Sequence, residues 1–436
     1  MNKLCDPKNS IGKDDPIKKN PHPPFPMTSA SMTTATASLF DHVPVYGGDP
    51  ILSLMESFQK DPRPQKVSLS IGVYFDNEGR LPVMSSVRKA ETAMLQELGP
   101  RPYLPMEGLA DFRSGVQRLL FGAEHEAVKS GRIATLQTLG GSGGLKVGAD
   151  FLRRYFPASG IWVSDPTWEN HHAIFDGAGI EVKTYPYYDA KTGGLRFDDM
   201  LTALQGLPKR SIVLLHASCH NPTGVDLSTA QWQTLIPLLR ERELIPFIDI
   251  AYQGFGDGLD EDAFAVRAMV DAGLQFFVAN SFSKNFSLYG ERCGGLSVVC
   301  ANRDAADVVL GQLKATVRRN YSTPPTHGGR IVARVLQNPA LFAEWAGETA
   351  EMRKRIRAMR ERLHAVLSDK FQGQRNFDYF LTQRGMFSYT GLNEAQVDRL
   401  REEHGVYLVR SGRLCVSGLT TGNVDHVAEA IAAVLG

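Results

Sequence analysis

At 436 residues, 43% hydrophobic and 22% charged, the chain is long enough for one large domain and a smaller one around a sizeable core. Its 48 Lys plus Arg balance 47 Asp plus Glu, so no bulk field draws nucleic acid or an anionic membrane surface, and no apolar run approaches the roughly 20 residues that span a bilayer. Five cysteines, with no CxxC pair, exclude a disulfide framework and a zinc site and suit a reducing, cytoplasmic setting.

In chain order, residues 1–37 come first. They hold Pro7, Pro16, Pro21, Pro23, Pro24 and Pro26, several lysines and then a Ser/Thr/Ala stretch. Such a composition buries no core and reads as a disordered extension, with Met27 or Met32 as alternative starts. No apolar segment in it suits a signal peptide, and its prolines and acids argue against a transit peptide.

From residue 67, short apolar runs alternate with helical patterns. Strands are expected at 67–71, 160–164, 180–185, 211–216, 244–250, 275–280 and 294–300, several of them apolar on both faces as buried parallel strands are. Helices are expected near 87–97, 109–121, 143–155 and 229–242, then a long charged helix at 339–370 and a last one at 424–435. The alternation predicts an α/β fold with helices on both faces of a sheet. The large domain is placed at 82–350, and the smaller one combines 45–81 with 351–436.

The chemistry concentrates at strand ends. Lys284 lies in NSFSKNF (280–286), just past an apolar strand; a lysine there is either a surface amine or a placed nucleophile. Ser281, Ser283 and Arg292 favour the second reading, because two hydroxyls and a guanidinium fork suit a phosphate dianion. A lysine beside a phosphate anchor fits an aldehyde-phosphate cofactor bound as an imine. Asp249 ends another apolar strand, as a turn cap or as the acid that keeps a pyridine nitrogen protonated, with Tyr252 two residues on. QTLGGSGG (137–144) opens a helix whose free N–H groups can hold an anion. It matches neither GxGxxG nor a Walker pattern, so a dinucleotide is the weaker alternative. HASCHNPTG (216–224) ends a further strand; Asn221 is either a cofactor ligand or a plain Asx turn. His171, His216 and His220 lack metal-ligand spacing, so no metal is expected.

Together these stretches resemble the class I aminotransferases of pyridoxal-phosphate (PLP) fold type I, in the aspartate/aromatic group, from Leu39 to Leu435. The resemblance rests on GDPIL (48–52), IGVY (71–74), YLPMEG (103–108), GGSGGLKVGADF (140–151), SDPTWENH (164–171), HNPTG (220–224), DIAYQGF (249–255), SFSKNFSLYGER (281–292), RRNYSTPP (318–325), GMFSYTGL (385–392) and SGR (411–413). YLPMEG, DPTWENH and LGQLKATVRRNYS look more like the bacterial tyrosine/aromatic enzymes than the strict aspartate ones.

The resemblance implies a mostly parallel seven-stranded sheet and a homodimer with shared active sites. It makes Lys284 the covalent PLP anchor and proton shuttle, Asp249 the pyridinium partner steadied by His171, and Trp168 the ring-stacking residue. Asn221 and Tyr252 would bind the phenolate oxygen. Gly141, Ser142, Ser281, Ser283 and Arg292 would hold the phosphate, with Tyr103 of the neighbouring subunit. Arg413 and Gly72 would bind the α-carboxylate, and Arg318 a distal carboxylate across the dimer. Trp168 and Asn221 would also line the substrate pocket.

The implied reaction is ping-pong transamination through pyridoxamine phosphate, between tyrosine, phenylalanine or aspartate and 2-oxoglutarate. The alternatives are a strict aspartate aminotransferase or, on the same fold, a β-lyase or decarboxylase. Two carboxylate-holding arginines argue against decarboxylation. Cis peptides are expected before Pro166 and Pro222. Arg410 and the Ser218-Cys219 pair depart from the family pattern.

Overall fold

The computed structural model of the protein describes residues 38–436 except Asp49 and Leu98, so the expectation for 1–37 lies outside the described residues. Contacts set apart Gly48–Gly436 as one compact unit. Residues 38–47, described by themselves, are an exposed segment with a turn in which Val43 N–H donates to Phe40 O (2.9 Å).

Within Gly48–Gly436 the largest sheet has seven strands: β1 (Ile133–Leu139), β2 (Ile161–Asp165), β3 (Val182–Pro186), β4 (Ile212–His216), β5 (Ile245–Ile250), β6 (Phe276–Ser281) and β7 (Cys293–Val299). Their spatial order is β1-β7-β6-β5-β4-β2-β3. The pairings from β6 through to β3 are parallel, whereas β7 runs antiparallel to both neighbours. Side chains alternate between two apolar cores. Val213, Leu215, Ile248, Ile250 and Val278 face one, and Ile212, Leu214, Phe247, Phe277 and Ala279 face the other.

One expected strand belongs elsewhere. Only Val67–Ser68 of the 67–71 run is a strand, paired in parallel with Val406–Tyr407 in a separate two-stranded sheet. Its place in the large sheet is taken by β1, whose sequence IATLQTL alternates apolar and polar residues over Ala134–Gln137. That pattern reads as a half-solvated strand, yet Thr135 and Gln137 are buried and satisfied, Thr135 by Ser297 (3.0 Å) and Gln137 by the Pro325 carbonyl (2.8 Å).

Three helices govern the site. α1 (Gly140–Tyr155) follows β1 directly and packs on β6 and β7. It lies close because of Gly148, where a Cβ would come within 2.5 Å of Phe247 Cζ. α2 (Arg303–Asn320), not expected from the sequence, carries Arg318. α3 (Pro339–Phe371) is the long charged helix, capped by Asn338 Oδ1, which accepts from Ala340 and Leu341 N–H.

On α3, Trp345 is fully buried, stacks on Phe286 at 4.6 Å and donates from Nε1 to the Asn285 carbonyl (2.7 Å). It thereby holds the chain just after Lys284. Trp345→Ala should lower the unfolding free energy by about 3–5 kcal/mol, read from the denaturant midpoint. A loss below about 1 kcal/mol would mean that the loop is held by other contacts.

Candidate active site

In a parallel sheet the strand ends line one edge, and here β4, β5 and β6 put their chemistry there. His216, the last residue of β4, is opposite Asp249 of β5, which is opposite Ala279 of β6. Lys284 lies three residues beyond Ser281, where β6 ends.

Asp249 is buried, and His171 Nε2–H donates to its Oδ2 at 3.0 Å. His171, fully buried, is held at Nδ1 by the Thr167 hydroxyl (2.8 Å) and packs edge-on to Trp168 (5.2 Å). Trp168 lies immediately before a helix, Glu169–Asp176, and lines a cleft of about 590 Å³ together with Asn221, Tyr389 and Arg413. Both expected cis peptides are present, Asp165–Pro166 and Asn221–Pro222.

Lys284 Nζ lies 5.1 Å from the centre of the Tyr289 ring and makes no hydrogen bond or ion pair among the described residues. Tyr289 is itself fixed, its Oη accepting from Tyr74 N–H (2.9 Å). Burial pulls the Lys284 pKa down to about 8; the Arg292 and Arg413 charges act in the same direction, against the Asp249 carboxylate. Tyr252, six per cent exposed, accepts from Asn221 Nδ2 at 3.4 Å, and burial beside Asp249 pushes its phenol up.

The anion cradle forms where α1 begins. The first-turn N–H groups at Gly140–Ser142 lack intrahelical partners. Gly140 adopts φ +67°, and a Cβ there would lie 2.7 Å from Arg292 Nη2; a Cβ on Gly141 would lie 3.2 Å from Ser281 Cβ. Arg292 donates from Nη1 to Ser283 Oγ (3.3 Å) and to the Tyr289 carbonyl (3.0 Å), while Ser283 N–H donates to Ser281 Oγ (3.2 Å).

Arg413 is buried across the same space. It donates to the Ser70 carbonyl (2.7 Å) and Asn221 Oδ1 (3.4 Å), stands 4.5 Å over the Phe387 ring, and leaves Nε without a partner. Gly72 makes room for that ring, because a Cβ there would be 2.7 Å from Phe387 Cζ. Sequence reasoning missed Phe387, Ser70 and Tyr289. The first and last sit inside quoted motifs, but Ser70 acts through its carbonyl, which no side-chain pattern reveals.

Two expected residues stand apart from this cluster. Tyr103 is 93% exposed, and Arg318, near the end of α2, is exposed and bonded to Ser322 Oγ. Arg410 is turned to the surface, paired with Asp398 (2.8 Å) and Glu394 (3.3 Å). His171, His216 and Asp249 do bring ligand atoms within 4.8 Å of one another, which their spacing did not suggest. Both His171 nitrogens are already hydrogen-bonded, however, leaving fewer donors than the four that a zinc site takes.

An unpaired amine of low pKa, a buried carboxylate on an adjacent strand and an anion cradle sized by glycine fit a phosphorylated aldehyde with a basic ring nitrogen. Comparison with known proteins agrees. Residues 64–431 match the family model for aminotransferase class I and II. The chain is 62% identical to the aromatic-amino-acid aminotransferase of Escherichia coli (strain K12), over 91% of this chain and all of that one. It is 50% identical to the aspartate aminotransferase of Pseudomonas aeruginosa over the same shares. Among solved structures, the aromatic-amino-acid aminotransferase from Burkholderia pseudomallei, covalently bound to pyridoxal phosphate, superposes with a TM-score of 0.90 at 54% identity, covering 92% of this chain and all of that one. The chain belongs to the class I and II aminotransferases. It is an enzyme of PLP fold type I, and pyridoxal phosphate is its cofactor.

With the cofactor removed, the Lys284 amine is expected to titrate near pH 8 rather than 10.5. Its acylation by an amine reagent, followed by peptide mass spectrometry, should rise through pH 8. In Arg292→Leu the midpoint should move up, because a cation that disfavours the ammonium form has gone. A wild-type midpoint near 10.5 would contradict the described burial.

Proposed function

We propose that the enzyme transaminates tyrosine, phenylalanine and, less efficiently, aspartate with 2-oxoglutarate. The observation that carries this reading is the uncommitted Lys284 amine, close enough to the buried Arg413 guanidinium for that charge to act on it. The aromatic preference is supported by relatives named aromatic-amino-acid and tyrosine aminotransferase, at 62% and 58% identity.

In this reading the fork of Arg413 holds the substrate α-carboxylate, with its unpartnered Nε available and Gly72 keeping Phe387 against it. Gly141, Ser142, Ser281, Ser283 and Arg292 would hold the cofactor phosphate. Asp249, steadied by His171, would keep the ring nitrogen protonated, Asn221 and Tyr252 would hydrogen-bond the phenolate oxygen, and Trp168 would pack on the ring. PLP, when bound, supplies an electron sink and carries the amino group between the two half-reactions. Lys284 would anchor it and, once released as a neutral amine, could take up and return the substrate Cα proton; a pKa near 8 leaves an appreciable neutral fraction at neutral pH.

Tyr103 and Arg318 act in the partner's site of a homodimer, a reading supported by their exposure. Arg318 binds the distal carboxylate of dicarboxylic substrates and turns to solvent when an aromatic ring enters, since an unpaired buried guanidinium is costly. The smaller domain, 45–81 with 351–436, is supported by the pairing of Val67–Ser68 with Val406–Tyr407. A cytoplasmic location accords with four free, buried thiols, Cys219, Cys293, Cys300 and Cys415. No helix among the described residues is long and apolar enough to cross a membrane.

Arg318→Leu should lower kcat/KM for aspartate by about 10²-fold or more while changing that for phenylalanine less than about tenfold, in single half-reactions. Equal losses for both would remove Arg318 from substrate discrimination. Mixing Arg318→Leu with Lys284→Ala subunits should regenerate sites with aspartate activity if the two groups come from different protomers. No regeneration in verified mixed dimers would contradict the shared site.

A further inference from the structure

Away from the Lys284 pocket, positive charge is concentrated where α3 passes the loop after β5. A cleft of about 380 Å³ there is lined by Arg353, Arg357, Arg360, Arg384 and Gln383. Arg353 donates to the Gly254 carbonyl (2.7 Å) and has no carboxylate partner among the described residues. Arg360 is three per cent exposed and also lacks one. Its Nη groups donate to Ser388 Oγ (2.5 Å) and to the carbonyls of Gly385 (2.8 Å) and Phe387 (2.6 Å), and its Nε is unpartnered. Burial pulls its pKa down to about 9, and the Arg384 charge acts with it, against the buried Asp226 carboxylate.

The remaining two arginines share one acid, Asp257, each at 2.9 Å. Glu361 is the one carboxylate in the cleft wall. Four guanidinium groups thus face two carboxylates along the cleft wall, with the buried Asp226 carboxylate acting on Arg360 and Arg384 from behind it. Asp226 and Asp262 do not line the cleft, and their oxygens are taken by backbone N–H groups of Cys219 and His220, and of Gly254, Gly256 and Asp257. Gln383 is two per cent exposed, yet neither its amide oxygen nor its nitrogen has a partner. A buried amide is ordinarily satisfied, so the wall holds a donor with nothing to donate to.

We propose that this cleft is an oxyanion site that takes a dianionic phosphate group, held by the fork donors of Arg353 and Arg357, Arg360 Nε and the Gln383 amide. Guanidinium forks match phosphate oxygens two at a time, and along the wall cations outnumber carboxylates, which favours an anion. None of these residues belongs to the Lys284 pocket, so the site stands apart from the proposed substrate range. It does adjoin the α-carboxylate clamp, because Arg360 holds the backbone of Phe387, whose ring lies under Arg413.

The test is calorimetric titration of inorganic phosphate into the holoenzyme, with its substrate pocket filled by 3-phenylpropionate, an aromatic monocarboxylate that has no amino group to transfer. One phosphate should bind per protomer, displaced by sulfate and not by chloride at equal ionic strength. Arg353→Gln and Arg357→Gln should each weaken it about tenfold or more, while both variants keep their turnover and so report folded enzyme. No saturable binding to the wild type, or binding unchanged in either variant, overturns the assignment.

Discussion

Much of this structure follows from keeping one amine out of water without giving it a partner. Lysine is ordinarily solvated, and one that is partly buried beside Arg292 and Arg413 loses part of its hold on a proton. Nothing among the described residues repays that cost with a hydrogen bond; the face of Tyr289 is the contact that remains. Such a group is poised for covalent chemistry, and the surrounding elements can be understood as what holds it there. Trp345 bonds the next residue's carbonyl, and Tyr74 anchors the ring beneath the amine.

The sheet supplies the second requirement, groups of opposite character a few ångströms apart. Register does this economically, since parallel strands β4, β5 and β6 end together and Asp249 falls between His216 and Ala279. The antiparallel strand β7 follows directly on Arg292, whose left-handed conformation (φ +50°) turns the chain back towards α1. Gly148 then lets α1 approach the sheet, and its first turn meets the Arg292 guanidinium at Gly140. Cradle, carboxylate and amine are thus set by backbone geometry before any side chain adjusts.

The buried strands were legible in the sequence to within about two residues, because apolar runs such as PFIDI and FFVAN have no other economical place. β1 was not legible: its Thr135 and Gln137 imitate a solvated face and are paid for by hydrogen bonds to distant residues. The 67–71 run reads as a longer strand than it is, since beyond Ser68 its backbone serves Arg413 through the Ser70 carbonyl. The clustered site residues were readable because each lies in a short motif at a strand end. Phe387 was not singled out, because its role comes from packing between Gly72 and Arg413. Tyr103 and Arg318 are readable only by resemblance, since Tyr103 is exposed and Arg318 is bonded to Ser322.

The central claim is that Lys284, among all the lysines, carries the cofactor. Reduction of the holoenzyme with borohydride, followed by proteolysis and mass spectrometry, tests it most directly. The account requires the cofactor adduct on the peptide containing Lys284. An adduct on another lysine, with Lys284 unmodified, would contradict it.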